Sequence, residues 1–265
     1  MTMRVAGLWI WPVKGCAGLR VDAVDAGHFG PEGDRRFMII DAEDRMVTQR
    51  DEPRLATIRP MATGDTLQLE MPDGRTSGPL AANGSLRTVT VWKDDVEAVD
   101  CGDAVAGLLS DALQRSVRLV RMSSGYRRPV SRRWAERDAD TSFTDGFPWL
   151  LVNRSSIEAL SRVAGMPLQP ERFRPNLLIE GAPAFAEDHW RHIQIGPVKF
   201  QVAKPCTRCR VITLDPMSGK QDAPRLLRTL AEHRQDGQPV FGQNLVHLNE
   251  GTIRVGDAVQ LNEAA

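Results

Sequence analysis

Val202-Ala-Lys-Pro-Cys-Thr-Arg-Cys-Arg210, running on into Val211-Ile-Thr-Leu-Asp-Pro-Met-Ser-Gly219, places two thiols three residues apart between apolar, alternating segments. Were a helix to follow Cys209, the pair would read as a thioredoxin-like redox motif, because a helix N-terminus stabilises a thiolate. The residues that follow are Val211, Ile212, Thr213 and Leu214, β-branched and apolar, and they predict a strand. The stretch therefore argues for a reactive sulfur site held between strands of a β-rich chain. Lys204, Arg208 and Arg210 flank the thiols, and nearby positive charge favours the thiolate. At least one of Cys206 and Cys209 is expected to be poised to ionise. Two other readings stay open. His189 and His192 could complete a four-ligand zinc site, although Trp190, Ile193 and Ile195 make their segment look like the start of a strand. Both cysteines could also be buried small apolar residues.

Outward from this stretch, short apolar runs bounded by turn residues recur along the chain. Residues 4–12 form a run that Pro12 ends, since proline cannot donate to a sheet ladder. Runs at 33–41, 46–50, 53–58, 66–71 and 86–92 follow at a spacing that suggests a β-barrel or sandwich. Helical spacing first appears after Asp103, a plausible N-cap, where Val105, Leu108, Leu109, Ala112 and Leu113 share a face. Residues 117–120 return to strand, and the Arg-rich 121–142 reads as an irregular interdomain segment able to dock an acidic redox partner. Ser155 and Glu158 suggest a capping box for a second helix, a strand is expected at 177–180, and Pro224 opens a third helix. Residues 241–249 and 251–261 read as closing strands with Gly251 and Gly256 at turns or bulges. The fold class expected is mainly β with a few helices (α+β).

Composition excludes several functions. Lys plus Arg and Asp plus Glu are 34 each, so no global field draws nucleic acid or an anionic membrane. Cysteines at 16, 101, 206 and 209 show no disulfide-framework spacing, and the N-terminus shows no secretory pattern, so a reducing, cytoplasmic setting is expected. No apolar run approaches the ~20 residues of a membrane span. A soluble protein without membrane or nucleic-acid partners follows. Lys14, in a glycine-containing loop just past a strand end, is placed to meet an anionic ligand. Arg35, Arg50 and the pair Arg172 and Arg174 beside Pro175-Asn176 carry the planar fork that fits phosphate.

These pieces share an order with a known family. Trp11-Pro-Val-Lys-Gly-Cys16, Asp34-Arg-Arg-Phe37, Thr48-Gln-Arg50 with Glu52-Pro-Arg-Leu55, Asp145 with Pro148, Phe173-Arg-Pro-Asn176, Ala186-Glu-Asp188, Pro205-Cys-Thr-Arg-Cys209 with Asp215-Pro216 and Gly219, and Phe241-Gly-Gln243 through Gly251-Thr-Ile-Arg-Val-Gly-Asp257 span nearly the whole chain. Together they resemble the molybdenum cofactor sulfurase C-terminal (MOSC) superfamily with its N-terminal β-barrel companion, and within it the amidoxime-reducing components of mitochondria and their bacterial counterparts. The resemblance implies an N-terminal β-barrel-like domain over 1–120 and a MOSC β-barrel domain over 121–265.

It also implies a molybdenum cofactor, a molybdopterin of open nucleotide form, with Cys209 as the metal's protein ligand. Cofactor-binding positions map onto Lys14, Arg35, Arg50, Arg174, Asn176, Thr207 and Arg208, with the cations on the phosphate and Asn176 on the pterin edge. Asp145 would relay protons or hydrogen-bond at the metal. The implied reaction is reduction of a small N-hydroxylated substrate such as an amidoxime or hydroxylamine. Because only Cys16 and Cys101 remain outside the motif, no iron–sulfur cluster is expected in this chain, and electrons would come from a separate ferredoxin, flavoprotein or cytochrome type protein. The alternative is a persulfide or cofactor carrier without reductase activity. One departure from the family is Gly15, where relatives often have Ser.

Overall fold

A computed structural model of the chain describes residues 2–63, 66–234 and 237–262. Its largest sheet has eight strands in the order Val259–Asn262, His192–Ile195, Val198–Thr207, Val240–His247, Trp149–Asn153, Leu177–Glu180, Arg4–Ile10 and Leu19–Val21. A five-stranded sheet runs Val13–Lys14, Phe37–Ile40, Arg118–Met122, Asp94–Asp100 and Leu86–Val91. Smaller sheets pair Gly251–Arg254 with Ala23–Gly27 and Gly30–Pro31, and Arg59–Thr63 with Thr66–Glu70. The fold is mainly β, as expected. In place of closed barrels, the strand pairing among the described residues leaves each sheet open.

The halves of the chain are interleaved. Arg4–Ile10 lies antiparallel to Leu177–Glu180, with Leu8 opposite Leu177, and Ala23–Gly27 lies antiparallel to Gly251–Arg254. Val5, Leu8, Val24 and Ala26 are thereby buried with Trp149, Leu151, Ile193, Phe200 and Leu245 in one core. Helix α1 (Asp103–Leu113) turns Val105, Leu109 and Leu113 against Ile39, Leu55 and Leu119 of the five-stranded side. Helices α2 (Arg154–Ala164) and α3 (Leu226–His233) turn Ile157, Leu160, Leu226 and Leu230 onto Phe173, Ile212 and Phe241. That second cluster fixes the loops that carry Arg174 and Cys209.

Three segments with strand-like composition take other forms. Residues 46–50 make one isolated bridge, Ile40 to Met46, and then turn. Pro53–Thr57 and Arg210–Thr213 are single 3-10 turns. Pro53 presets the first of these and Glu52 accepts from Arg54 N at 3.3 Å. In the second, the Thr213 hydroxyl donates to Arg210 O at 2.7 Å while Ile212 is buried beside Phe173 and Phe241. Burial overrides the intrinsic β preference of Val211 and Ile212. The helix starts shift as well. Gly102, which has no side chain to bond with, is the cap of α1, and Asp103 is the first helical residue, held by Arg118 at 2.7 Å. Asn153, rather than Ser155 with Glu158, caps α2 by accepting from Ser155 N at 3.2 Å.

The basic run of 121–137 is answered locally in part. Arg128 is buried and donates to Asp94, Ser142 O and Thr144 O, Arg127 faces Asp140 at 3.8 Å, and Arg132 pairs with Asp138. Arg121, Arg133 and Arg137 stay exposed and have no carboxylate partner among the described residues.

Candidate active site

A cavity of about 300 Å³ opens between the two sheet systems, and every residue that the family resemblance assigns to the site lines it: Lys14, Arg35, Arg50, Asp145, Arg174, Asn176, Thr207, Arg208 and Cys209. Lys14 ends the strand Val13–Lys14, which lies parallel to Phe37–Ile40. Arg35 precedes that second strand, and Arg50 sits in the turn before Pro53–Thr57. From the other half, Asp145 comes from the loop before Trp149–Asn153, and Arg174 from the turn after Pro170–Phe173. The long strand Val198–Thr207 breaks register between Val202 and Lys204 and again between Pro205 and Thr207. Proline inside a strand belongs at such irregularities, and the bulges re-aim Lys204, Cys206 and Thr207 onto the cavity wall.

The charges are lopsided. Seven basic side chains line the cavity (Lys14, Arg35, Arg50, Arg172, Arg174, Lys204 and Arg208) against one carboxylate, Asp145. Three of the seven have a carboxylate partner: Lys14 with Asp145 at 2.5 Å, Arg35 with Asp34 at 2.6 Å and Arg172 with Asp222 at 2.7 Å. Arg50, Arg174, Lys204 and Arg208 have none among the described residues. Arg208 is gripped by carbonyls, donating to Phe241 O and Phe173 O at 2.9 Å each, while its Nη2 is buried without a partner. Arg174 donates to Cys16 O at 2.7 Å and lies 4.2 Å from the centre of the Trp11 ring. Burial and the adjacent Arg35 charge hold its pKa down to about 9. An anion placed among these groups would relieve that repulsion.

Asp145 faces the open cavity, with its side chain 74% exposed. Its Oδ1 accepts from Lys14 Nζ at 2.5 Å and from the Trp92 indole at 3.0 Å. Desolvation at the wall opposes ionisation, but the Lys14 charge and these hydrogen bonds outweigh it and push the carboxyl well below its ordinary range. It is therefore an anion at neutral pH. Burial, together with the charges of Arg128 and Arg35, lowers the pKa of Lys14 against the pull of Asp145.

At least one of the two sulfurs is expected to be poised to ionise, and Cys206 is not that one. Burial raises the Cys206 pKa, and the opposing charges of Arg208 and Lys204 do not cancel it. Cys209 stands at the start of the 3-10 turn Arg210–Thr213, and its thiol makes no hydrogen bond among the described residues. Asn176 is also not free to grip a ligand edge. Its amide nitrogen donates to Trp9 O and Asp34, and its oxygen accepts from Leu150 N at 3.1 Å, so it clips three segments of the cavity wall together. His192 sits opposite Gln201 on the neighbouring strand, roughly 16 Å from Cys206 at ~3.3 Å per residue. Among the described residues no three His, Cys, Asp or Glu side chains converge to hold a metal ion.

Sequence reasoning missed Trp92 and the part played by Lys204. Lys204 lies between the Trp134 and Phe147 rings, 5.2 and 5.4 Å from their centres. Among the described residues six non-glycine residues have positive φ, and three of them, Arg35, Trp92 and Arg174, line this cavity. Such backbone strain gathers at functional sites.

A two-domain β fold with a cationic, thiol-bearing cleft defines a class, and the sequence matches place it. Residues 2–116 match the MOSC N-terminal beta barrel domain and residues 138–260 the MOSC domain; the chain belongs to the MOSC family. It is 34% identical to mitochondrial amidoxime-reducing component 1 of Mus musculus over 97% of this chain and 82% of that protein. The Homo sapiens protein of the same name shows the same identity and coverage. Molybdenum cofactor sulfurase of Drosophila ananassae is 32% identical over 94% of this chain, which spans 33% of that longer protein.

Proposed function

We propose that the chain is a molybdenum-cofactor-dependent reductase of N-hydroxylated or N-oxygenated compounds, with Cys209 as the metal's protein ligand and electrons supplied by a separate protein. The observation that carries this is the set of four cations, Arg50, Arg174, Lys204 and Arg208, facing one cavity without carboxylate partners in a chain of zero net charge. Like charges gathered along one cleft repel one another, and a phosphate dianion would relieve that repulsion. The residues fit the group in two further ways. Arg208 Nη2 is a buried donor awaiting an acceptor, and a single unbonded thiol borders the same space, a soft ligand suited to molybdenum. Lys14, Arg35, Arg50, Arg174 and Arg208 would hold the phosphate side, and Thr207 would offer its hydroxyl. The amidoxime-reducing relatives support the same reading. The four free cysteines support a reducing, cytoplasmic setting.

When bound, the cofactor supplies a two-electron metal couple that removes oxygen from an N–O bond, so that amidoxime, two electrons and two protons give amidine and water. The chain's own residues orient the substrate. Asp145 is ionised and pinned through Oδ1, which leaves Oδ2 to accept a hydrogen bond from a substrate N–H or O–H. It positions the substrate and does not donate the proton, because its pKa is too low. Lys14 keeps that carboxylate from being repelled or displaced.

The test is benzamidoxime reduction with a chemically reduced dye as electron source. Cys209→Ser should abolish turnover with an unchanged circular dichroism spectrum, and Cys206→Ser should retain most of it. Equal loss in both variants would contradict the assignment. The match to the sulfurase supports a second reading, a persulfide or cofactor carrier. That reading would win if loaded wild-type protein reduced no N-hydroxylated compound and mass spectrometry found a persulfide on Cys206 or Cys209.

A further inference from the structure

Strands Leu86–Val91 and Asp94–Asp100 form a hairpin in which Val91 pairs with Asp94, leaving Trp92 and Lys93 as its two-residue tip. Such tips need positive φ and are normally supplied with glycine or asparagine. Trp92 has φ +58 and is 40% exposed. Neither the turn nor the core calls for a tryptophan there: Val89, Val91, Val96 and Ala98 of the same hairpin already anchor it in the core. What the indole does touch is the site. Its Nε1 donates to Asp145 at 3.0 Å across the cleft, and the Arg50 guanidinium lies 4.5 Å from its ring centre.

We propose that Trp92 sets substrate specificity, offering its exposed ring as a stacking platform for planar, conjugated substrates whose N–H donors reach the free oxygen of Asp145. This rests on the reductase reading above and narrows it to aryl amidoximes and N-hydroxylated heterocycles in preference to aliphatic analogues. A conjugated amidoxime is coplanar with its ring, so one rigid body can both stack and present its donors. The hairpin core makes the platform stiff, so little ordering cost falls on binding.

The experiment uses the cofactor-loaded protein and compares wild type, Trp92→Gly and Trp92→Phe. Binding of benzamidoxime and acetamidoxime is read by calorimetry without reductant, turnover is read with reduced dye, and molybdenum per chain is measured for each variant. Both variants lose the indole bond to Asp145, so the ring is read by comparing them: relative to Trp92→Phe, Trp92→Gly should weaken benzamidoxime binding and raise its KM about five- to tenfold, with acetamidoxime differing less than about twofold between the two variants. Trp92→Phe should keep most of the aromatic preference. Because glycine suits the tip, Trp92→Gly should also raise Tm by about 2 °C. Equal weakening of both ligands would overturn the inference. So would a fall in molybdenum content matching the loss of binding, which would make Trp92 a wall for the cofactor. Aromatic-selective binding without any turnover would leave the platform standing and remove the reductase reading instead.

Discussion

Arg208 shows how the backbone around a single side chain fixes it at the cavity wall. Two of its nitrogens are fixed by carbonyls of Phe173 and Phe241, and Gly242, at φ +73, packs so closely that an added Cβ would lie 2.5 Å from Leu151 O and 3.4 Å from Nη2. Arg208→Lys keeps the charge but not the fork, so the folded variant should purify with several-fold less pterin than wild type. A full complement would show that charge alone suffices. Lys14 and the arginines were readable in the sequence because their chemistry is written in residue type beside turn residues, whereas Asp145 came from the family resemblance alone. Trp92 was not, since a tryptophan after Val91 reads as one more strand position and its φ appears only in three dimensions. Nor could residue type tell that Asn176 would be consumed as a clip. His247 gives a residue-scale test of the core. Its Nδ1 accepts from Trp149 at 3.3 Å, and burial, with Arg137 nearby, holds its pKa down to about 4 from 6.5. The unfolded chain thus takes up a proton first as pH falls from 6.5, and stability drops between 6.5 and 4. Denaturant titrations should lose up to about 3 kcal/mol across that window, and His247→Asn should flatten the loss.

At the scale of elements, strands and helices with clear period 2 or 3.6 fell where the sequence put them, among them Leu86–Val91, Leu177–Glu180 and α3. The 3-10 turns did not, because one turn is too short for a period and its identity is decided by what it packs on. The turn after Cys209 matters most: it points Ile212 into the core and leaves the thiol at the cavity. The loop that follows it is packed against the other half at Gly219, whose φ is +69 and whose added Cβ would lie 2.2 Å from Pro53 O. Gly219→Ala should therefore destabilise the protein by more than about 2 kcal/mol and depress activity by parting the two walls. A neutral effect on Tm would contradict this account of the contact.

For the whole molecule, the cavity exists only because the halves share sheets. Residues 4–27 complete the pairing of Leu177–Glu180 and Gly251–Arg254, contacts invisible to local periodicity because the partners are far apart in the chain. Residues 121–265 expressed alone should expose Leu177 and Ile253 and fail to give a cooperative unfolding transition, whereas the full chain should unfold with the two halves coupled. A folded 121–265 fragment would argue for an independent second domain. The central claim is that this shared cleft holds a phosphorylated pterin carrying molybdenum. Metal and pterin analysis of folded protein, purified from a host that makes the cofactor, tests it most directly. The expected result is stoichiometric molybdenum and pterin in each chain; folded protein from that host with neither would contradict it.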